Sequence, residues 1–444
     1  MKQTNERVYR TISFVLPFLV YSLTLNALWA SDHPNSLLDL QYALLVNHTA
    51  FFPQSVASNS VDISVYKDHY TSALAPGSAI LSAPFGALGI ALDKKFTLFG
   101  YERLFDELFV ALCASISSFL VYSVSRVFWG VRPSFLSSLS FAFASLAWPY
   151  ATVFFQHDIA LLFEVCSLYF VLKHKPKSAG FSLGIALIVD YTSALFALPI
   201  LWYLNRKRAF GFVLGYLSSS WTTFAYNYLV FGNPFTFPES YWIEGSRYLL
   251  SRFTLVYAPI HFLFLSFSPY RGLFAFSPIL AFGFYGMFLM KSQLKKPATL
   301  FLLLFLVNIV FYSFWDDWDG GLCYGPRFLV ESLPFLCVPI SCAFEKARGV
   351  LKMLISVSYA YSVVVQALGA LTSVFSKSGS VYFYQPLEFN LHMLQKGVFT
   401  TWWMNTNFVP FFAKVTFTTV LIFCLIIPFF MLQARHLCLK AEVF

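Results

Sequence analysis

Charge is what this sequence has least of: Asp, Glu, Lys and Arg make up 11% of its 444 residues, against 58% hydrophobic, and the mean hydropathy is +0.66. Too little polar surface exists to cover a soluble globule of that size, so the chain reads as a polytopic membrane protein. It has no Cys-x-x-Cys pair; its seven cysteines stand singly, and all but Cys323 and Cys438 lie in apolar runs. That excludes a disulfide framework or a thiolate metal site in favour of thiols used for packing. Internal repeats, low-complexity tracts and hydrophilic runs long enough for a separate soluble domain are missing. So is any nucleic-acid-binding module, which leaves the net charge of +9 to be explained by its placement.

Long apolar runs are there in number. Lys2, Arg7 and Arg10 precede one from Thr11 to Ala30, read as a retained signal anchor because roughly 20 residues make a full span. Further runs occupy about 105–125, 134–154, 157–173, 209–230, 272–290, 298–315, 328–344, 353–374 and 411–432. Residues 178–204 carry Lys173, Lys175 and Lys177 on one flank and Arg206, Lys207 and Arg208 on the other. One span would put a basic cluster on the wrong side, so two short helices with Asp190-Tyr191 at the tip are expected.

The result is an all-α single transmembrane domain over 1–444, with about twelve crossings and both termini cytoplasmic. On that topology 19 of the 30 basic residues, but only Glu6, Glu345 and Glu442 of the 21 acids, fall on the cytoplasmic side. This asymmetry supports the orientation, in a membrane taken to be a prokaryotic plasma membrane. Three outer segments follow: 31–103, with a surface helix over Leu37–Val46 and a re-entrant or interfacial helix over Ser78–Leu92; 233–271; and 375–410, which carries Trp402-Trp403.

Polar groups gather at the outer boundary, above all in the stretch Trp315-Asp316-Asp317-Trp318-Asp319-Gly320-Gly321-Leu322-Cys323-Tyr324-Gly325-Pro326-Arg327-Phe328. Asp32 and Asp62 are candidate bases, with Asp32 preferred because it is tethered at the membrane boundary, where a lipid phosphate would lie; helix capping or turn formation accounts equally for either acid. Arg271 and Arg327 each open a span and suit either bidentate phosphate binding or anchorage to lipid head groups. Asp316, Asp317 and Asp319 form an Asp-x-Asp pattern that suits a magnesium or manganese ion, acceptor binding or plain loop structure. His69, His157, Asp190, Asp316, Asp319 and Tyr324 complete the candidate substrate-binding set. Glu164 and Glu331 lie within spans, where a carboxylate needs the protein interior or a watery cavity. Glu331 is one turn beyond Arg327, so an intrahelical ion pair is expected there.

The segment Asp62–Gly77, ending in Ala75-Pro76-Gly77, with Pro84-Phe85-Gly86-Ala87-Leu88-Gly89, resembles the first-loop pattern of the GT-C superfamily of lipid-carrier-dependent glycosyltransferases, of the dolichyl-phosphate-mannose protein mannosyltransferase type. Asn227 with Phe231-Gly232-Asn233-Pro234, Arg271-Gly272-Leu273-Phe274 with Ser277-Pro278, and Trp315 with Gly320-Gly321 and Gly325-Pro326-Arg327 are similar to its later patterns. The resemblance implies a multi-span enzyme that transfers a sugar from a polyprenyl phosphate to a lipid, glycan or protein acceptor at the outer face, with a first-loop carboxylate as base. Ala73-Leu74 and Asp32-His33 depart from the pattern, where many members have an acidic-basic pair and an acidic pair, so the base stays open between Asp32 and Asp62. A lipid or lipid-linked sugar flippase is the alternative. It would place ionisable groups near the midplane of repeated halves, and here the acids crowd one boundary without a repeat.

Overall fold

A computed structural model describes residues 2–26, 32–57, 60–96, 101–243, 252–375, 386–396, 398–404 and 410–441. Helices occupy every predicted crossing. Five helical stretches are long and apolar enough to span a membrane by themselves: Arg103–Ser125, Lys295–Phe314, Arg327–Lys346, Gly349–Leu371 and Phe412–Met431. The helices Pro176–Val189, Ala258–Phe267 and Ala281–Met290 are apolar but shorter.

The bundle is held by one continuous apolar core that includes Tyr21, Trp148 and Tyr150, all fully buried. Each of these polar-tipped rings finds an acceptor, as a dry interior requires: Tyr21 donates to the Ala142 carbonyl at 2.8 Å, Trp148 to Thr24 Oγ1 at 3.1 Å and Tyr150 to the Tyr324 carbonyl at 2.9 Å. Opposite this core, the helix Arg206–Phe231 presents Phe210, Leu217, Trp221 and Leu229 outward, the apolar surface a lipid-facing helix needs.

The expected short hairpin of helices at 178–204 is present. Pro176–Val189 stops at Asp190, whose extended backbone (φ −146°, ψ 124°) breaks the helix, and a 3-10 turn, Tyr191–Phe196, leads into Ala197–Tyr203. Pro176–Val189 lies against Arg206–Phe231 with almost no gap. A Cβ on Gly180 would come within 1.9 Å of the Phe212 carbonyl oxygen, and one on Gly215 within 2.0 Å of that of Lys177. Glycine at both positions is therefore what lets the two backbones touch.

In the first long loop the predicted surface helix begins earlier than its apolar stretch, at Asp32, and runs to Val46. The Ser78–Leu92 segment is two helices, Gly77–Leu81 and Ala83–Phe96, broken at Ser82. Between them and the first helix lies a feature the all-α expectation did not contain: strands Ile63–Tyr66 and His69–Ser72 pair antiparallel, Ile63 opposite Ser72. Their two-residue turn places Lys67 and Asp68 at φ 50° and 62°, as a tight hairpin requires. Ser64 Oγ donates to the Pro238 carbonyl at 2.6 Å, and Trp242 donates its indole N–H to the Val61 carbonyl. The first and second loop segments are thereby stitched together over one end of the bundle.

Candidate active site

Under that stitched roof lies a cavity of about 330 Å³. Its walls come from five places far apart in sequence: His33 and Asp62; Gln156; Val189 to Leu195 at the hairpin tip; Phe237 to Trp242; and Arg252 with Phe311 to Phe328. Of the polar groups that the sequence put at a common boundary, Asp62, Asp190, Asp317 and Arg327 share this chamber, although they are separated by up to some 265 residues of chain.

A polar chain crosses this chamber. His33 Nδ1 lies 3.4 Å from Asp62 Oδ2 and its Nε2 lies 2.5 Å from Gln156 Oε1, so both ring nitrogens face acceptors. Gln156 in turn donates to Asp190 Oδ2 at 3.4 Å, and Asp190 Oδ1 accepts from the Thr192 N–H and hydroxyl at 2.9 and 2.6 Å. Burial by itself would raise the Asp62 pKa; the His33 hydrogen bond, the His33 charge and the Arg327 guanidinium outweigh it and hold the carboxyl below its ordinary value. Asp62 is therefore a carboxylate aimed at the cavity. Glu239 goes the other way. Its carboxyl meets cavity solvent but is walled in by protein, and that desolvation, with Asp190, Asp62 and Asp317 nearby and only Arg252 opposing, pushes it up to about 7.

Of the other candidate residues, Asp190, Asp317 and Arg327 line the cavity, and His157 sits fully buried behind its wall. Arg327 has no carboxylate within ion-pair distance among the described residues. Its guanidinium lies over the rings of Phe155 and Phe328, 5.4 and 4.9 Å from their centres, and its Nε is buried without a hydrogen-bond partner. Gly320, at φ +72°, lets the turn pass beneath it, since a Cβ there would come within 2.9 Å of Arg327 Cγ and Nε.

The remaining candidates lie elsewhere. Asp32 is exposed in the first turn of its helix, outside the cavity lining. His69 is exposed at the hairpin, 4.9 Å from the Phe51 ring. Tyr324 is buried and donates to the Val365 carbonyl at 2.6 Å. Arg271 is fully buried and donates to the carbonyls of Asp319, Gly321 and Tyr270, which makes it the clamp of the acidic loop. Asp316 pairs with Arg252 at 3.0 Å, the same arginine that holds the cavity-lining Asp317 at 2.6 Å, and Asp319 accepts from the Tyr270 hydroxyl at 2.6 Å.

Glu331 departs from its expected pairing with Arg327 and instead meets His157 Nδ1 at 3.1 Å and the Thr192 hydroxyl at 3.4 Å. The reason is local: Arg327–Ser332 is a 3-10 helix, in which residues four apart point about 120° away from each other rather than stacking. His33, Gln156, Glu239, Arg252 and Tyr312 are lining residues that the sequence did not single out.

Comparison with known proteins agrees with this architecture. Residues 84–223 match the family model of dolichyl-phosphate-mannose-protein mannosyltransferases. ArnT from Cupriavidus metallidurans, solved bound to undecaprenyl phosphate, is similar with a TM-score of 0.54 at 14% identity over 96% of this chain and 77% of that one. The Archaeoglobus fulgidus oligosaccharyltransferase in its apo form gives 0.57 at 13% identity over 83% of this chain and 57% of that one. A structure of the same archaeal enzyme tethered with an acceptor peptide gives 0.52 at 14% identity, over 96% and 55%. No curated protein matches. The chain thus shares its fold with ArnT and the archaeal oligosaccharyltransferase, and the family-model match begins at Pro84, inside the stretch in which the resemblance was read.

Proposed function

We propose that this integral membrane protein transfers a sugar from a polyprenyl-phosphate donor to a lipid, glycan or protein acceptor, with inversion at the anomeric carbon. The observation that carries the reading is one chamber walled by both a cavity-facing carboxylate, Asp62, and an arginine without a carboxylate partner, Arg327. A sugar or serine hydroxyl is a poor nucleophile until a carboxylate takes its proton, and a phosphate leaving group needs a cation to meet its growing charge. Asp62 takes the acceptor proton as the new glycosidic bond forms. The bond from the anomeric carbon to the phosphate oxygen breaks, and Arg327 receives the lipid phosphate in the planar fork that guanidinium offers. His33 orients Asp62, and Trp242, Trp315 and Phe328 give the sugar apolar faces to lie on. Asp62 displaces Asp32 as the preferred base because only its side chain lines the cavity. The chamber opens to the outer face, the termini are cytoplasmic and the membrane is a prokaryotic plasma membrane, in keeping with the distribution of lysine and arginine.

The test is release of free polyprenyl phosphate from a labelled polyprenyl-phosphate sugar by the purified protein. Wild type releases it and Asp62→Asn does not. Turnover that survives Asp62→Asn and is lost in Asp32→Asn would reverse the assignment of the base.

A further inference from the structure

Running from the cavity wall, where Asp190 lines the chamber, into the bundle behind it is a group of titratable side chains to which the proposed glycosyl transfer assigns no step. His157, Asp190 and Glu331 each offer one ligand-capable atom, and these atoms lie within 4.8 Å of one another; it is the one such group of three or more His, Cys, Asp or Glu side chains among the described residues. All three are buried, with His157 1% and Glu331 0% exposed. They come from three elements: the first turn of His157–Leu172, the break after Pro176–Val189, and the 3-10 turn Arg327–Ser332.

Charge makes this group unusual. Glu164, 2% exposed, is a third carboxylate close enough to act electrostatically on Glu331, as Asp190 does on both. One Glu164 oxygen accepts from Ser193 at 2.7 Å, and the other is buried without a partner. No lysine or arginine lies within ion-pair distance of Glu164, Asp190 or Glu331 among the described residues. Like-charged carboxylates crowded in a low-dielectric interior are relieved by a proton or by a compensating cation, and an imidazole nitrogen beside two carboxylate oxygens is a donor set that suits a divalent transition metal.

We propose that His157, Asp190 and Glu331 bind one divalent transition-metal ion of the manganese or zinc class, with Glu164 supplying charge from beneath. This site differs from the Asp-x-Asp pattern at Asp316 to Asp319, whose carboxylates are taken up by Arg252 and Tyr270. It stands apart from the glycosyl-transfer reading, because its basis is charge compensation in the bundle. Thr192 links it to the cavity: the hydroxyl donates to Asp190 at 2.6 Å and faces Glu331 at 3.4 Å. A bound ion would fix the hairpin tip against Arg327–Ser332, and with it the two cavity walls they carry.

The experiment uses the full chain in detergent, stripped with EDTA and titrated separately with MnCl2 and ZnCl2. Bound metal is read by equilibrium dialysis with elemental analysis, manganese also by its EPR signal, and thermal melting is followed with and without EDTA. One ion per chain, with a higher melting temperature than in EDTA, is expected. Glu331→Gln and His157→Asn should each weaken binding at least about tenfold, while the double variant Asp316→Asn, Asp319→Asn leaves it unchanged. Wild type that takes up no stoichiometric ion and melts alike with and without EDTA overturns the proposal, whatever the variants do. So does an ion retained in folded Glu331→Gln, or one lost in the Asp316→Asn, Asp319→Asn variant.

Discussion

Arg271 and Arg327 make the same case in sequence: each opens an apolar run, follows aromatic residues and is fitted to hold a phosphate. The fold separates them completely. Arg271 is fully buried and its donors go to three backbone carbonyls, so it organises the loop from Asp319 to Gly321. Arg327 lies between two aromatic rings at the cavity edge, and no carboxylate claims it. A buried loop must satisfy its carbonyls somewhere, and an arginine is the side chain with donors enough to serve several at once. Deciding which arginine serves backbone and which is left for a ligand therefore takes an accounting of acceptors that only the folded chain provides.

The sharpest way to break this comparison runs through the base. Asp62→Asn should lower turnover by about 10²- to 10⁴-fold, the range for a lost general base, with expression and melting temperature little changed. Arg327→Ala follows, expected to cost roughly 10²-fold in kcat with donor, as loss of one charge-stabilising group does. The Arg271→Ala variant should behave differently. Removing a buried cation that serves three carbonyls is expected to cost roughly 3 kcal/mol of stability, read as poor yield or a lowered melting temperature before any kinetic effect can be measured. If Arg271→Ala folds normally and loses only donor affinity, the roles of the two arginines have been exchanged.

Much of the fold was legible because its signals are redundant. Apolar runs gave the crossings, and the basic flanks of 178–204 gave the break at Asp190 before any geometry was known. The strands Ile63–Tyr66 and His69–Ser72 escaped, though Ile63 and Val65 alternate with polar neighbours, because four-residue strands are too short for a period to stand out from a loop. Asp62, Asp190 and Arg327, candidates from the sequence, line the cavity, whereas Asp32, preferred there to Asp62 as the base, does not line it and its neighbour His33 does. Consecutive residues on a helix point about 100° apart, so of this pair Asp32 is exposed and His33 is turned inward. Sequence identifies the turn that reaches the cavity; which of two adjacent side chains faces it depends on a helix rotation set by packing. Glu239 and Arg252 were missed for a related reason. They lie in 233–271, read only as an outer segment, and their place in the chamber comes from the acids they meet across the cavity.

Glu239 and Asp62 offer the finer contrast, two carboxyls in one cavity displaced in opposite directions. Asp62 stays ionised to below the ordinary carboxylate range, whereas Glu239 takes up its proton near about 7. Because the folded pKa of Glu239 is raised above the ordinary glutamate value of 4.5, the native state there binds more protons than the unfolded chain between the two values. The stability this contributes is full below 4.5 and is lost as pH rises through about 7. Glu239→Gln should therefore flatten the fall in melting temperature over that window, the smallest of these effects. It should also remove a change in turnover near neutrality while leaving the acid limb governed by Asp62 in place. An unchanged profile in Glu239→Gln would mean that cavity water, and not protein, sets the environment of Glu239, and that Asp62 alone governs the pH response of the chamber.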